Sequence, residues 1–311
     1  VFGFYSLSGY LMTLIMHQNY HYTAHGIGKY ALNRFLRIYP IYWVSILLSL
    51  LLIVFLGEDV TRNYHHAIFL PESAGDILKN LFLFFPVRDV PRLTPPAWAL
   101  TVELFFYICI GLGLSKSRWL VQVWCIASVI YHVYALAAGL DFSYRYYTIA
   151  AASLPFSAGA MIYHYRDGLN GLVVRFTGTR AGFLAYAVFF LILLNWYLGV
   201  RAGQSHGVFF YVNFALCSAM VAILMQVREL PYLPTRMDKW LGDLSYPIYL
   251  IHYQVALMVI VVLGWLGMSV VRPDMLLMYL SIPVIILTSY VMTKLVELPI
   301  ERIRTIVKKW E

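Results

Sequence analysis

The sequence predicts an all-α integral membrane protein, a polytopic helical bundle with nine spans in its 311 residues. Composition is the first observation behind that prediction. Apolar residues make up 61% and charged residues 12%, against about 45–50% and 25% in an average soluble domain. The second observation is a series of separate apolar runs, each near the ~20 residues a helix needs to cross a hydrocarbon layer. The third is the alternation of lysine and arginine between the connecting loops.

The runs fall near residues 1–16, 38–57, 96–114, 119–139, 146–164, 181–200, 207–226, 243–267 and 275–295. A further run, Ile77–Pro86, is too short to cross and is expected at the interface. Loops 17–37, 115–118, 165–180 and 227–240, with the tail, carry sixteen of the 23 basic residues. The intervening loops carry seven, four of which (Arg62, Lys79, Arg88 and Arg92) are diluted over loop 58–95. The basic side is the cytoplasmic one, so the C-terminus is expected inside and Val1 outside. One further span upstream would repair that start. The expectation is therefore a single transmembrane domain over residues 1–311 lacking its N-terminal helix, with ten helices in the intact protein.

The same survey narrows the partners. The net charge of +8 is spread among short loops rather than gathered on one face, which argues against nucleic acid. Cys109, Cys125 and Cys217 all sit inside apolar runs, so a disulfide framework is not expected. His17, His21 and His25 recur at helical spacing without a carboxylate or cysteine beside them, and no metal site is expected.

Polar groups inside or beside the spans then become informative, since an ionisable side chain there costs ~2.5 kcal/mol or more. Arg34 and Arg37 stand three residues apart just before the second run, on one face if the segment is helical. Arginine's planar fork grips phosphate well, yet a basic residue at a span's edge also serves as a plain topological anchor. Glu103 is the only carboxylate well inside a span. If Thr94 caps a helix beginning at Pro95, Glu103 lies about 12 Å from its outer end, with Tyr107 one turn deeper. It reads as a functional carboxylate or as a structural one that is protonated or paired. His252 follows Asp243, the expected inner cap, by nine residues, and shares a face with Ser245 and Tyr249. It would come within about 5 Å of the depth of Glu103. A catalytic role and a plain interhelical hydrogen bond are both open to it.

In order along the chain, five stretches resemble membrane-bound acyltransferase family 3, the integral-membrane O-acyltransferases. They are Phe4-Tyr5-Ser6-Leu7-Ser8-Gly9-Tyr10-Leu11, Arg34-Phe35-Leu36-Arg37-Ile38-Tyr39-Pro40, and Trp98 through Glu103 to Phe106-Tyr107. Then come Leu241-Gly242 with Ser245-Tyr246-Pro247-Ile248-Tyr249-Leu250 and His252, and finally Glu297-Leu298-Pro299. Apart from the resemblance, this last stretch closes the final span and reads as a helix-end feature.

The resemblance implies a multi-pass protein of the plasma (bacterial inner) membrane. It implies acyl transfer, not of amino-acyl groups, from cytoplasmic acyl-CoA to a hydroxyl of a cell-envelope glycan or glycolipid precursor. The donor, expected to be acetyl-CoA, is a co-substrate, and no cofactor is bound. Arg34 and Arg37 occupy the motif thought to engage the donor, and Trp98 and Glu103 correspond to the tryptophan and glutamate of the family's third-to-fourth-helix region. The family's most cited catalytic histidine belongs to its first helix, which this chain is expected to lack. On that reading Glu103 orients or stabilises the base, and His252 is the candidate base in the chain itself. Trp98, Tyr107, Ser245 and Tyr249 would contact substrate or the oxyanion. The alternative function is a transporter or flippase of an envelope glycan precursor, although the inverted repeats common in transporters are not evident.

Overall fold

The computed structural model describes residues 1–85, 91–169, 171, 181–227, 229–268 and 275–309. Among them every regular element is helical. They are α1 (Phe2–Ile15), α2 (Ala24–Leu56), α3 (Glu58–Tyr64), α4 (Ala74–Phe82), α5 (Ala97–Gly111), α6 (Arg118–Ala137) and α7 (Phe142–Tyr146). Then follow α8 (Ile149–His164), α9 (Ala181–Arg201), α10 (Val208–Leu224), α11 (Thr235–Trp265), α12 (Met275–Met292) and α13 (Leu298–Lys309). Two π-helical turns, Met16–Tyr20 and Thr293–Glu297, continue α1 and join α12 to α13.

Among the described residues five helices are long and apolar enough to cross a membrane: α2, α6, α9, α11 and the α12–α13 run. The other four expected spans fall on α1, α5, α8 and α10, which have 14, 15, 16 and 17 residues. At 1.5 Å per residue these are about 21–26 Å long, short of a hydrocarbon layer of ~30 Å. Most of loops 165–180 and 268–274, and Pro86 of the short run, lie outside the described residues.

Three helix starts differ from expectation. α2 begins at Ala24, so Arg34 and Arg37 lie about three turns inside a helix rather than in a loop before one. Ala31, Leu32, Arg34 and Arg37 are all good helix formers, and polarity ends a membrane span without ending a helix. α5 begins at Ala97, because Pro96 disfavours helical geometry at Pro95 before it. The Thr94 hydroxyl meets Ser45 at 2.6 Å instead of capping. Glu103 is then six residues in, about 9 Å. α11 begins at Thr235, which makes Asp243 an interior residue and not a cap.

The chain divides into two compact units, residues 1–30 with 102–235 and residues 31–101 with 236–311. In the first, α1 lies along α8, α8 along α6, and α9 along α10. The α1–α8 crossing is made by two glycines. A Cβ on Gly9 would stand 2.2 Å from the Phe156 carbonyl oxygen, and one on Gly159 would stand 2.0 Å from that of Ser6. Small residues let backbones approach where hydrophobic driving force between helices is weak. Above and below the contact pack Tyr10, Ile162, Tyr163 and Val221, and Tyr5 stacks on Phe156 at 4.9 Å.

In the second unit, α2 serves α4. The last carbonyls of a helix have no partner within it. Here Tyr42 donates to Asn80 O at 2.6 Å, and Trp43 and Tyr39 donate to Leu81 O and Phe82 O, each at 3.0 Å. The Asn80 side chain in turn donates to Pro91 O and accepts from Leu93 N–H, fixing the strand of chain that leads to α5. Ser73 caps α4 by accepting from Asp76 N–H at 3.1 Å. At nine residues α4 is about 13 Å long, in keeping with an interfacial run.

The glycine crossing can be tested directly. Gly159→Val should destabilise the protein by about 1–3 kcal/mol, the usual cost of forcing atoms into a packed contact. Gly168→Val, where a Cβ meets nothing within 4 Å, should leave the thermal unfolding of detergent-purified protein near wild type.

Candidate functional site

In the first unit the polar centre is Glu103, on the second turn of α5 and half-buried. Its Oε1 accepts from the Ser8 hydroxyl of α1 at 2.6 Å and from the Tyr107 hydroxyl one turn along α5. The two hydroxyl oxygens are 3.4 Å apart, so three polar groups close a triangle inside an apolar unit. The spacing of four between Glu103 and Tyr107 puts them on one helix face. Ser8 comes from 95 residues away; it falls in the first stretch of family resemblance, but taken alone it is only a hydroxyl in an apolar run. Hydrogen bonds from O–H to a carboxylate are about twice as strong as neutral ones. A carboxylate oxygen so held is fixed in direction, ready to orient a cation or take a proton.

A second polar group in that unit gathers on Ser115, just past α5. Its carbonyl oxygen lies 3.3 Å from His17 Nε2 and 2.9 Å from His164 Nε2, and its hydroxyl meets Tyr22 at 3.1 Å. Burial pushes the Tyr22 phenol up to about 12. His132 bridges Tyr211 and the Ala151 carbonyl, and Asn195 donates to Phe209 O at 2.8 Å, both links between helices.

The second unit holds the arginine pair. Arg34 and Arg37 are on α2 and half-buried. Arg37 Nη1 meets Glu297 Oε1 at 2.7 Å, and the Glu297 side chain is only 8% exposed. Glu297 ends the second π turn. It is therefore an ion-pair partner of the arginine motif as well as a helix-end residue. One helical turn before Arg37, Asn33 accepts from Arg304 Nε at 2.9 Å. Neither Asn33 nor Arg304 carries a sequence signal, because nothing in the local pattern shows which distant helix faces α2.

His252 is half-buried on α11. Its Nδ1 lies 2.8 Å from the Tyr249 carbonyl oxygen, which leaves Nε2 as the basic nitrogen. It lines a cavity of about 600 Å³ with Tyr64, Tyr253, Ser281 and the apolar side chains of Met278 and Ile282. That volume is in the range of ligand sites, ~300–1,000 Å³. Tyr249, on the same helix face, donates its hydroxyl to Pro96 O at 3.1 Å. Ser245 is exposed and donates to Gly242 O at 2.7 Å, a local helix bond. Trp98 is half-buried in the first turn of α5.

The structure thus brings Glu103 together with Tyr107, and Tyr249 together with His252. Glu103 and Tyr107 belong to the first unit. Arg34, Arg37, Trp98, Ser245, Tyr249 and His252 belong to the second.

Comparison with known protein families finds a match over residues 2–294 to a family described as an acyltransferase domain. Comparison with curated proteins and with solved structures finds no match.

The Glu103 triangle makes a prediction independent of any reaction. Ser8→Ala and Tyr107→Phe should each lower stability by about 1.5–3 kcal/mol, the range for bonds to charged groups. Because both hydroxyls use one oxygen, the double variant should lose less than the two together. Chemical denaturation of the four proteins measures the coupling.

Proposed function

The chain belongs to acyltransferase family 3, and from that membership we propose that it transfers an acetyl group from cytoplasmic acetyl-CoA to a hydroxyl of a cell-envelope polysaccharide or glycolipid precursor. The reaction is O-acyl transfer. The hydroxyl oxygen attacks the thioester carbonyl carbon, the C–O bond forms, and the C–S bond breaks. The CoA thiolate leaves and takes a proton, while the hydroxyl's own proton passes to a base.

The observation that carries this reading beyond family membership is the Glu103 triangle: one carboxylate, directed by two hydroxyls, within an apolar unit. A hydroxyl is a poor nucleophile until its proton is removed during attack, and a base–carboxylate pairing is the common solution. Glu103 is the carboxylate for a base supplied by the family's first helix, which it orients and stabilises once charged. His252, in the second unit, is the alternative base within the chain and lines a cavity of ligand size. Tyr107 and Trp98 are candidates for substrate contact. Tyr249 and Ser245 are weaker ones, since their hydroxyls donate to Pro96 and Gly242. Arg34 and Arg37 hold the donor's phosphates, a task suited to guanidinium forks.

The remaining features belong to the same proposal: nine spans in this chain, ten in the intact protein, residence in the plasma membrane, and a cytoplasmic C-terminus. The charge bias of the loops supports the orientation. Family membership favours an enzyme over a flippase.

Purified protein should release free CoA from acetyl-CoA in an acceptor-dependent way. Arg34→Ala and Arg37→Ala should each raise the KM for acetyl-CoA about tenfold or more, the scale of losing a charge-assisted contact. Glu103→Gln should lower kcat by about 10²–10⁴ with donor KM little changed. Unchanged donor kinetics in both arginine variants would dismiss the phosphate role. Deleting the gene should remove one acetyl mass from an envelope glycan.

A further inference from the structure

We propose that Glu297 is a positioning residue for the acyl donor, acting through Arg37. The proposal rests on the reading of Arg34 and Arg37 as the donor's phosphate site, and all of its geometry lies within the second unit.

Glu297 is buried, and only one of its oxygens is used: Oε1 meets Arg37 Nη1 at 2.7 Å, while Oε2 is buried without a hydrogen-bond partner. An isolated buried ion pair is a poor stabilising device, because desolvating two charges offsets most of their attraction. Leaving a carboxylate oxygen unsatisfied makes it poorer still. Such an arrangement is better explained by what it does to Arg37. A guanidinium held at one nitrogen by a fixed carboxylate has that end of its fork pinned, which narrows the directions open to its remaining N–H groups. Sites that bind with precision are held by a supporting layer of this kind.

The surroundings fit. Arg37 is the less buried partner, at 34% exposure against 8%, so the pair presents its cation and hides its anion. The segment bearing Glu297 is tied to α2 a second time, by Arg304 Nε donating to Asn33 Oδ1 at 2.9 Å. Asn33 and Arg37 are four residues apart on one face of α2, and Glu297 and Arg304 are two turns apart on the facing segment. The charges of Arg34 and Arg37 both act on Arg304, so the three guanidiniums form one positive group. Glu297, Glu301 and Asp243 supply the opposing charge, of which Glu297 is the most buried. A π turn carries Glu297 to this place, and such turns are frequent at functional sites.

Donor kinetics on four full-length proteins in detergent test the idea: wild type, Arg37→Ala, Glu297→Gln and the double variant, with thermal unfolding recorded for each. Glu297→Gln keeps the shape and removes the charge. It should raise the KM for acetyl-CoA about tenfold with kcat within about twofold, a loss of uniform binding. In the Arg37→Ala background it should add no further change in KM, and Glu297→Asp should recover part of the wild-type KM. A merely structural role would lower unfolding temperature and kcat without this dependence on Arg37. If Glu297→Gln leaves KM unchanged, or adds its full effect on top of Arg37→Ala, the inference is wrong. If Arg37→Ala itself leaves KM unchanged, the phosphate reading falls and takes this one with it.

Discussion

The cost of leaving a polar group unsatisfied in an apolar medium, several kcal/mol each, governs where polar side chains sit in this protein. It explains why they occur in groups assembled from distant parts of the chain. Ser8 reaches Glu103 across 95 residues, Arg37 reaches Glu297 across 260, and Arg304 reaches Asn33 across 271. Each link ties together segments that apolar packing alone would hold with little preference for one register over another. Van der Waals contact decides that helices meet; these bonds help decide at which residues.

Backbone groups obey the same constraint. The three consecutive carbonyls that end α4 are each met by an aromatic donor from α2. Tyr39, Tyr42 and Trp43 are amphipathic, with a ring that packs and a polar edge that donates, which suits a helix end sealed against another helix. The arginine motif and these donors are neighbours on α2. The helix that bears the candidate phosphate site is thereby anchored a turn later to the end of α4.

Much of the fold was legible because period and composition are local properties. The apolar runs at 119–139, 181–200, 243–267 and 275–295 correspond to long apolar helices. Helix starts were less legible. Polar residues end a span without ending a helix, and α2 and α11 both run on through such residues. At α5 the reverse happened: Pro95 suits a first position taken alone, and Pro96 after it cancels the advantage. Glu103 and Tyr107 could be paired from their spacing. Ser8 could not, because a serine in an apolar run looks the same whether it bonds its own helix or a carboxylate on another. Glu297 is legible as the end of a span and as part of the last stretch of resemblance, but a partner 260 residues away is a fact of tertiary structure.

The π turn at Thr293–Glu297 has a consequence for how this part of the chain tolerates change. A π turn accommodates one residue more than the α-helical path it interrupts. Its length is therefore a separate variable from its composition. Excising one of its residues would let the backbone relax to regular helix while the flanking helices keep their phase. The carboxylate would then swing away from the face it now serves. A gap in this segment would be harder to accommodate than most changes of side chain, and homologous chains should vary here in residue type before they vary in residue count.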